Sequence, residues 1–184
     1  MLNRRDAIRG AALSFGPLLF GTLTLAGPAG AAAAVSAPPL AWTPRALSAE
    51  QARLVEVVAE HIVPTTDTPG ARAAGVPQFI DRALAEYYLP ADAARIRAGL
   101  DRLDADAKAA HGAPFLALSG PDQVAQLARY DAERAPFFTA LKDLTLTGYF
   151  QSKPGATLAL RYDPVPGDYK GCVPLKDIGR GWAT

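Results

Sequence analysis

Two histidines, a single cysteine and three closely spaced aspartates are the side chains through which this 184-residue chain could do acid–base, metal or thiol chemistry. His61 falls on an apolar helical stripe, where a histidine satisfied in the core or at a helix end is the expected role. Metal ligation would need further ligands at helical spacing. The chain has no H-E-x-x-H and no H-x-H, and it lacks the Glu-x-x-His pairs of diiron bundles, because Val58 stands three residues before His61 and Lys108 three before His111. His111 precedes Gly112 and is expected at a helix C-terminus, where a cation complements the macrodipole. Ser48 and Ser119 read as helix caps, and no G-x-S-x-G is present to make a serine nucleophile. Neither a P-loop nor a G-x-G-x-x-G behind a strand is present, and Gly179-Arg180-Gly181 reads as a turn. Asp101, Asp104 and Asp106 are expected on a solvated helix face. No catalytic, cofactor-binding or metal-ligating residue is therefore assigned to this chain.

Cys172, between Gly171 and Val173-Pro174, leaves three roles open: a buried free thiol, a disulfide to another chain, or a reactive centre. The last wants a base or a helix N-terminus nearby, and the neighbouring sequence offers neither. One cysteine also excludes an internal disulfide framework, a multi-cysteine zinc site and a cysteine-ligated iron–sulfur cluster. Composition narrows the class further. The chain is 49% hydrophobic and 20% charged with a net charge of +1, which argues against disorder and against a nucleic-acid-binding polycation. Alanine accounts for 38 residues, so the apolar fraction favours helices while burying little area per residue.

The elements that would position these residues begin after a leader. Arg4, Arg5 and Arg9 form a basic head, and no charge follows from Gly10 to Pro44. The modestly apolar run Ala11 to Ala26, diluted by Gly16, Pro17 and Gly21, is too short for a membrane span and has the layout of an export signal. Arg4-Arg5 ahead of a weak apolar region resembles the twin-arginine signal that exports folded proteins, with Ile8 and Arg9 in their usual places and Ala7 where a bulkier residue is common. Cleavage is expected after Ala29-Gly30-Ala31 or shortly beyond. Residues 1–35 are thus read as signal peptide, 36–46 as linker, 47–160 as the helical domain and 161–184 as an extended tail. Loss of the leader removes three Arg and one Asp and leaves a net charge of −1, so neither nucleic acid nor anionic lipid is expected as a partner.

The fold class is all-α, a small bundle of about five helices with a long irregular Gly/Pro-rich C-terminal tail, and no segment alternates convincingly enough to predict a sheet. Ser48 and Gln51 form a capping box ahead of a helix carrying Leu54, Val57, Val58, His61 and Ile62 on one side and ended by Pro64. A polar turn, Thr65 to Gly70, leads to a second helix started by Pro77, with Phe79, Ile80, Ala83, Leu84 and Tyr87 facing inward. A third, from about Ala91 to Ala110, buries Ile96, Leu100, Leu103 and Ala107. The fourth starts at Ser119 and is expected to bury Val124, Leu127 and Tyr130. The fifth starts near Pro136 and is apolar enough for the centre of the bundle, through Phe137, Phe138, Leu141, Leu144, Leu146, Tyr149 and Phe150. A short helix is expected from Pro154 to Leu160.

From Arg161 onward the chain holds four Gly, three Pro and the aromatics Tyr162, Tyr169 and Trp182. That composition suits neither a helix nor a central strand, nor an aromatic-poor disordered tail. Aromatic side chains on an extended segment suit grooves, on this body or on a partner's. The expected partner interface is Tyr149, Tyr162, Tyr169, Gly171, Cys172 and Trp182.

Two runs and several short segments carry a family resemblance. Ile62 to Ala71 and Ala74 to Asp81, together with Gly148 to Ser152, Leu160 to Tyr162 and Pro166 to Pro174, resemble the gluconate 2-dehydrogenase subunit 3 family, over roughly Leu47 to Trp182. The resemblance implies a non-catalytic small subunit of a membrane-associated dehydrogenase complex. Its large subunit carries FAD and oxidises a sugar, sugar acid or related alcohol, and a c-type cytochrome subunit takes the electrons onward. The small subunit would supply the export signal for a folded partner, giving a periplasmic location with membrane association through the complex only. Two other functions stand beside it: an independent exported enzyme using His61 with the Thr65–Asp67 turn, and a free-standing periplasmic binding or assembly protein.

Overall fold

The capping box at Ser48 forms as the sequence predicts. Ser48 Oγ accepts the Gln51 N–H at 3.1 Å and Gln51 Oε1 accepts the Ser48 N–H at 3.1 Å. It opens α1 (Ala49–Ile62) in the computed structural model of the chain, which describes residues 40–165, 167–168 and 172–183. The other helices are α2 (Val76–Glu86), α3 (Pro90–His111), α4 (Gly120–Ala132), α5 (Pro136–Gln151) and a single turn α6 (Leu175–Ile178). A 3-10 turn lies at Phe115–Ala117 and a π-helical turn at Gly155–Ala159. The described residues contain no strand, so the fold is all-α as expected.

α5 packs against α1, α2, α3 and α4, which places it at the bundle centre. Its Leu141 is fully buried, as are Val55, Val58, Ile80, Leu100 and Leu103 on the helices around it. Phe115 joins them from the 3-10 turn, held because Asp104 accepts its N–H at 2.9 Å and Gln123 Nε2 donates to its C=O at 3.0 Å. Thr145 is also buried on α5, its hydroxyl satisfied by the Leu141 C=O at 2.7 Å.

Several inward assignments are corrected. Tyr87 follows the last residue of α2 and is 77% exposed, because the chain turns away before the next helical face position. Val124 is 51% exposed and the core side of α4 carries Gln123 and Gln126 instead. Each glutamine makes burial possible by donating to a core carbonyl, Phe115 O and Leu103 O respectively. Phe150 is exposed at the end of α5, and Leu146 is half-buried beside it. Pro77 is the second residue of α2, after Val76. The aspartates of α3 do not form a plain solvated face. Asp101 accepts from Gln51 Nε2 at 2.8 Å, Asp104 from the Phe115 amide, and Asp106 from the Tyr130 hydroxyl at 2.5 Å.

Candidate partner-docking face

Glu60, at the outer side of the last turn of α1, organises the turn that follows. Its Oε1 accepts the Thr65 N–H at 3.0 Å and the Thr65 hydroxyl at 2.7 Å, and its Oε2 accepts the Arg72 N–H at 3.0 Å. Thr65 Oγ1 in turn accepts the Gly70 N–H at 3.1 Å. Partial burial pulls the Glu60 pKa upward, but these hydrogen bonds and the Arg72 charge outweigh it, so the carboxyl sits below its ordinary 4.5. A lowered folded-state pKa means stability that is present above 4.5 and is lost as pH falls through the folded value. The protection of the Thr65 and Arg72 amides against hydrogen exchange is therefore expected to drop in acid below pH 4.5, and Glu60→Gln to flatten that dependence. Equal acid loss in the variant would assign the effect to another group.

The ordered turn reaches α5 through one contact, Thr68 Oγ1 to the Tyr149 hydroxyl at 2.9 Å. Just beneath, α5 approaches α2 at Gly148, where a Cβ would stand 2.6 Å from Phe79 Cδ1. The absent side chain lets the Phe79 ring lie against the α5 backbone. Outside this contact runs an open cleft of about 430 Å³, lined by Ala74, Gly75, Gln78, Phe79, Arg82, Gly148, Gln151 and Ser152. Two segments some seventy positions apart in sequence, Ala74 to Asp81 and Gly148 to Ser152, thus form the two walls of one surface feature.

The sequence-predicted interface divides. Tyr149 is 3% exposed, with its hydroxyl engaged by Thr68, so it supports this face from below. Tyr162 is 59% exposed and Trp182 44%. The C-terminal segment doubles back on itself at these residues: the Arg161 N–H donates to Gly181 O at 2.8 Å, and the Ala183 N–H to Arg161 O at 2.9 Å. The Arg161 guanidinium stacks 4.3 Å from the centroid of the Trp182 ring, and Arg180 Nη1 donates to Leu158 O. Cys172 is an exposed free thiol with φ of 56°, which removes the buried-thiol role. Tyr169, Gly171, Arg4 and Arg5 lie outside the described residues.

His61 is engaged elsewhere. Its Nε2–H donates to Gln123 Oε1 at 2.8 Å, tying α1 to α4, so it is not available to the Thr65–Asp67 turn that the enzyme alternative requires. His111 is exposed in the last turn of α3, as expected. Among the described residues no group of three His, Cys, Asp or Glu side chains is arranged to hold a metal ion, and no helix is long and apolar enough to cross a membrane. Sequence reasoning missed Asp81 and Arg82. Asp81 was within reach as an acidic residue on the inward side of an amphipathic helix, whereas nothing local distinguishes Arg82.

A family model described as Gluconate 2-dehydrogenase subunit 3 matches residues 49–167. No curated protein and no solved structure matches the chain. The matched residues take in both walls of the cleft and Tyr162, and they end before Cys172 and Trp182.

Proposed function

This chain belongs to the gluconate 2-dehydrogenase subunit 3 family, and from that membership we propose that it is the non-catalytic small subunit of an FAD-dependent dehydrogenase complex, supporting assembly and export of the flavoprotein subunit. FAD resides in the large subunit, and a c-type cytochrome subunit accepts the electrons. The complex is periplasmic, exported by the twin-arginine route through Arg4-Arg5, and meets the membrane through its other subunits. One observation supports the docking role: two segments distant in sequence, both within the residues that the family model matches, converge on one exposed cleft. A folded partner loaded with FAD before transport gives the escort's folded-protein signal a physical purpose.

The C-terminal segment adds exposed aromatic surface at Tyr162 and Trp182, the residue types that dominate interface energetics. Purification of the exported chain under gentle, non-reducing conditions should bring down a yellow flavoprotein. Deleting Arg161 to Thr184 should abolish that co-purification while the helical melt is kept, and Tyr162→Ala alone should weaken it by about 2 kcal/mol if Tyr162 is an anchor. Full retention of flavin after the deletion would sink the tail's part in docking. A thiol-sensitive heavier band lost in Cys172→Ser would place the exposed thiol at the contact. Arg4-Arg5→Lys-Lys should leave both subunits in the cytoplasm.

A further inference from the structure

The edge on which the C-terminal segment doubles back is fixed to the bundle. Ser152, at the end of α5, donates its hydroxyl to Tyr149 O at 2.6 Å and accepts the Gly155 N–H at 3.1 Å, and Gly155 O in turn accepts the Leu160 N–H at 2.9 Å. The π-helical turn Gly155–Ala159 is thereby held to α5, and Arg161 follows it after Leu160. The returning stretch meets this edge at three hydrogen bonds: Arg180 Nη1 to Leu158 O, Arg161 N–H to Gly181 O, and Ala183 N–H to Arg161 O. Arg161 and Trp182 face each other in a parallel bridge, with the guanidinium over the indole ring.

Twenty residues lie between Arg161 and Trp182, so joining these two positions removes much of the freedom that a free end would keep. The polar contacts that oppose this loss are few, two backbone hydrogen bonds, one guanidinium hydrogen bond and one cation–π stack, and Trp182 is still 44% exposed. Among the described residues Arg161 forms no ion pair, so the indole face is the partner of its charge. We propose that Arg161 and Trp182 form a clasp that folds the C-terminal segment back in the free small subunit, before any partner is met, with Arg161 as the residue that positions Trp182. The proposal rests on the docking role of this segment argued above and adds how the segment is prepared for it. The clasp brings Tyr162 and Trp182, far apart in sequence, to one junction at the end of the bundle. A segment already held there loses less freedom on docking than a free one, so opening the clasp weakens docking without removing any contact to the partner.

The test begins with the free full-length small subunit carrying fluorotryptophan, which gives one fluorine resonance from Trp42, packed against the core, and one from Trp182. Arg161→Ala should move the Trp182 resonance to that of an unstructured peptide and lower the protection of the Ala183 amide against hydrogen exchange about tenfold. The Trp42 resonance and the helical melt should stay as in the wild type. Arg161→Lys should fall between the two, because it keeps the charge and loses the planar stack. In the intact complex, purified through a tag on the small subunit, bound flavin per small subunit should drop about tenfold in Arg161→Ala and less in Arg161→Lys. An unmoved Trp182 resonance in Arg161→Ala overturns the clasp. A moved resonance with full flavin content overturns its part in docking and leaves the small-subunit role standing. Absence of flavin from the wild-type preparation overturns the small-subunit role, while the fluorine and exchange readouts on the free chain still decide the clasp.

Discussion

Asp81→Ala is expected to destabilise the protein by about 4 kcal/mol, the largest effect of any single side-chain truncation considered. The carboxylate is 3% exposed and accepts three successive amides, Arg45 N–H at 2.8 Å and Ala46 and Leu47 N–H at 2.9 Å each. It thus ties the bent segment that leads into α1 onto α2, and the Leu47 side chain behind it is part of the core. In the variant the Leu47 donor stays buried with no acceptor, at about 2 kcal/mol, while water reaches the other two amides and limits each loss to about 1 kcal/mol. For a body of this size the melting midpoint should fall by roughly 12 °C. Asp81→Asn keeps one acceptor oxygen but turns an amide N–H₂ toward the remaining donors, so it should recover less than half of the loss. Limited proteolysis offers an independent readout, with cleavage between Leu40 and Leu47 rising in both variants. A melt within 2 °C of the wild type would mean that desolvating the carboxylate costs as much as its hydrogen bonds return.

Gly99→Leu is expected to cost nearly as much by a different route. Gly99 is buried on α3 where that helix crosses α5, and a Cβ there would lie 2.1 Å from Phe137 Cγ and 2.5 Å from Phe137 Cβ. The obstructing atoms are the root of the Phe137 side chain, so a rotamer change cannot clear them. Phe137 is itself seated edge-on against Tyr130 at 5.1 Å and Phe138 at 6.4 Å between ring centroids, which closes its routes of retreat. The helices must separate, and overpacking of this kind costs about 3 kcal/mol or more. Gly99→Ala should be milder, at about 2 kcal/mol, because alanine adds only the Cβ and nothing beyond it. Shortening the obstruction should reveal the coupling: Gly99→Ala with Phe137→Ala should lose clearly less than the two single losses added together. Strict additivity would show that Gly99 and Phe137 do not meet in solution.

Neither partner set, the amides that Asp81 meets or the Phe137 root against Gly99, was legible in the sequence, for the same reason. Periodicity and capping chemistry report on neighbours within about a turn, and there they performed well: the Ser48 box, the Gly112 stop, the Ser119 cap and the central position of α5 all follow from local pattern. Local pattern failed where a polar residue lies inside. Gln123 and Gln126 took inward positions on α4 where Val124 did not, because their amide groups reach Phe115 O and Leu103 O, and those acceptors belong to other elements. The candidate site was legible in a similarly partial way. Its two walls fall largely within the segments that carry the family resemblance, but their convergence on one cleft and the burial of Tyr149 beneath it come from the packing of α2 on α5.

By itself the sequence determined the all-α class, the order and approximate starts of the five main helices, and the family, since each depends on residue type at short spacing. Tertiary structure alone decided what the polar side chains do. Asp81 meets amides 34–36 residues away, Gln51 meets Asp101 at a separation of 50, and Thr68 meets Tyr149 at 81. A carboxylate's cost or value depends on which donors surround it after folding, and helical spacing holds no information about contacts between elements so far apart.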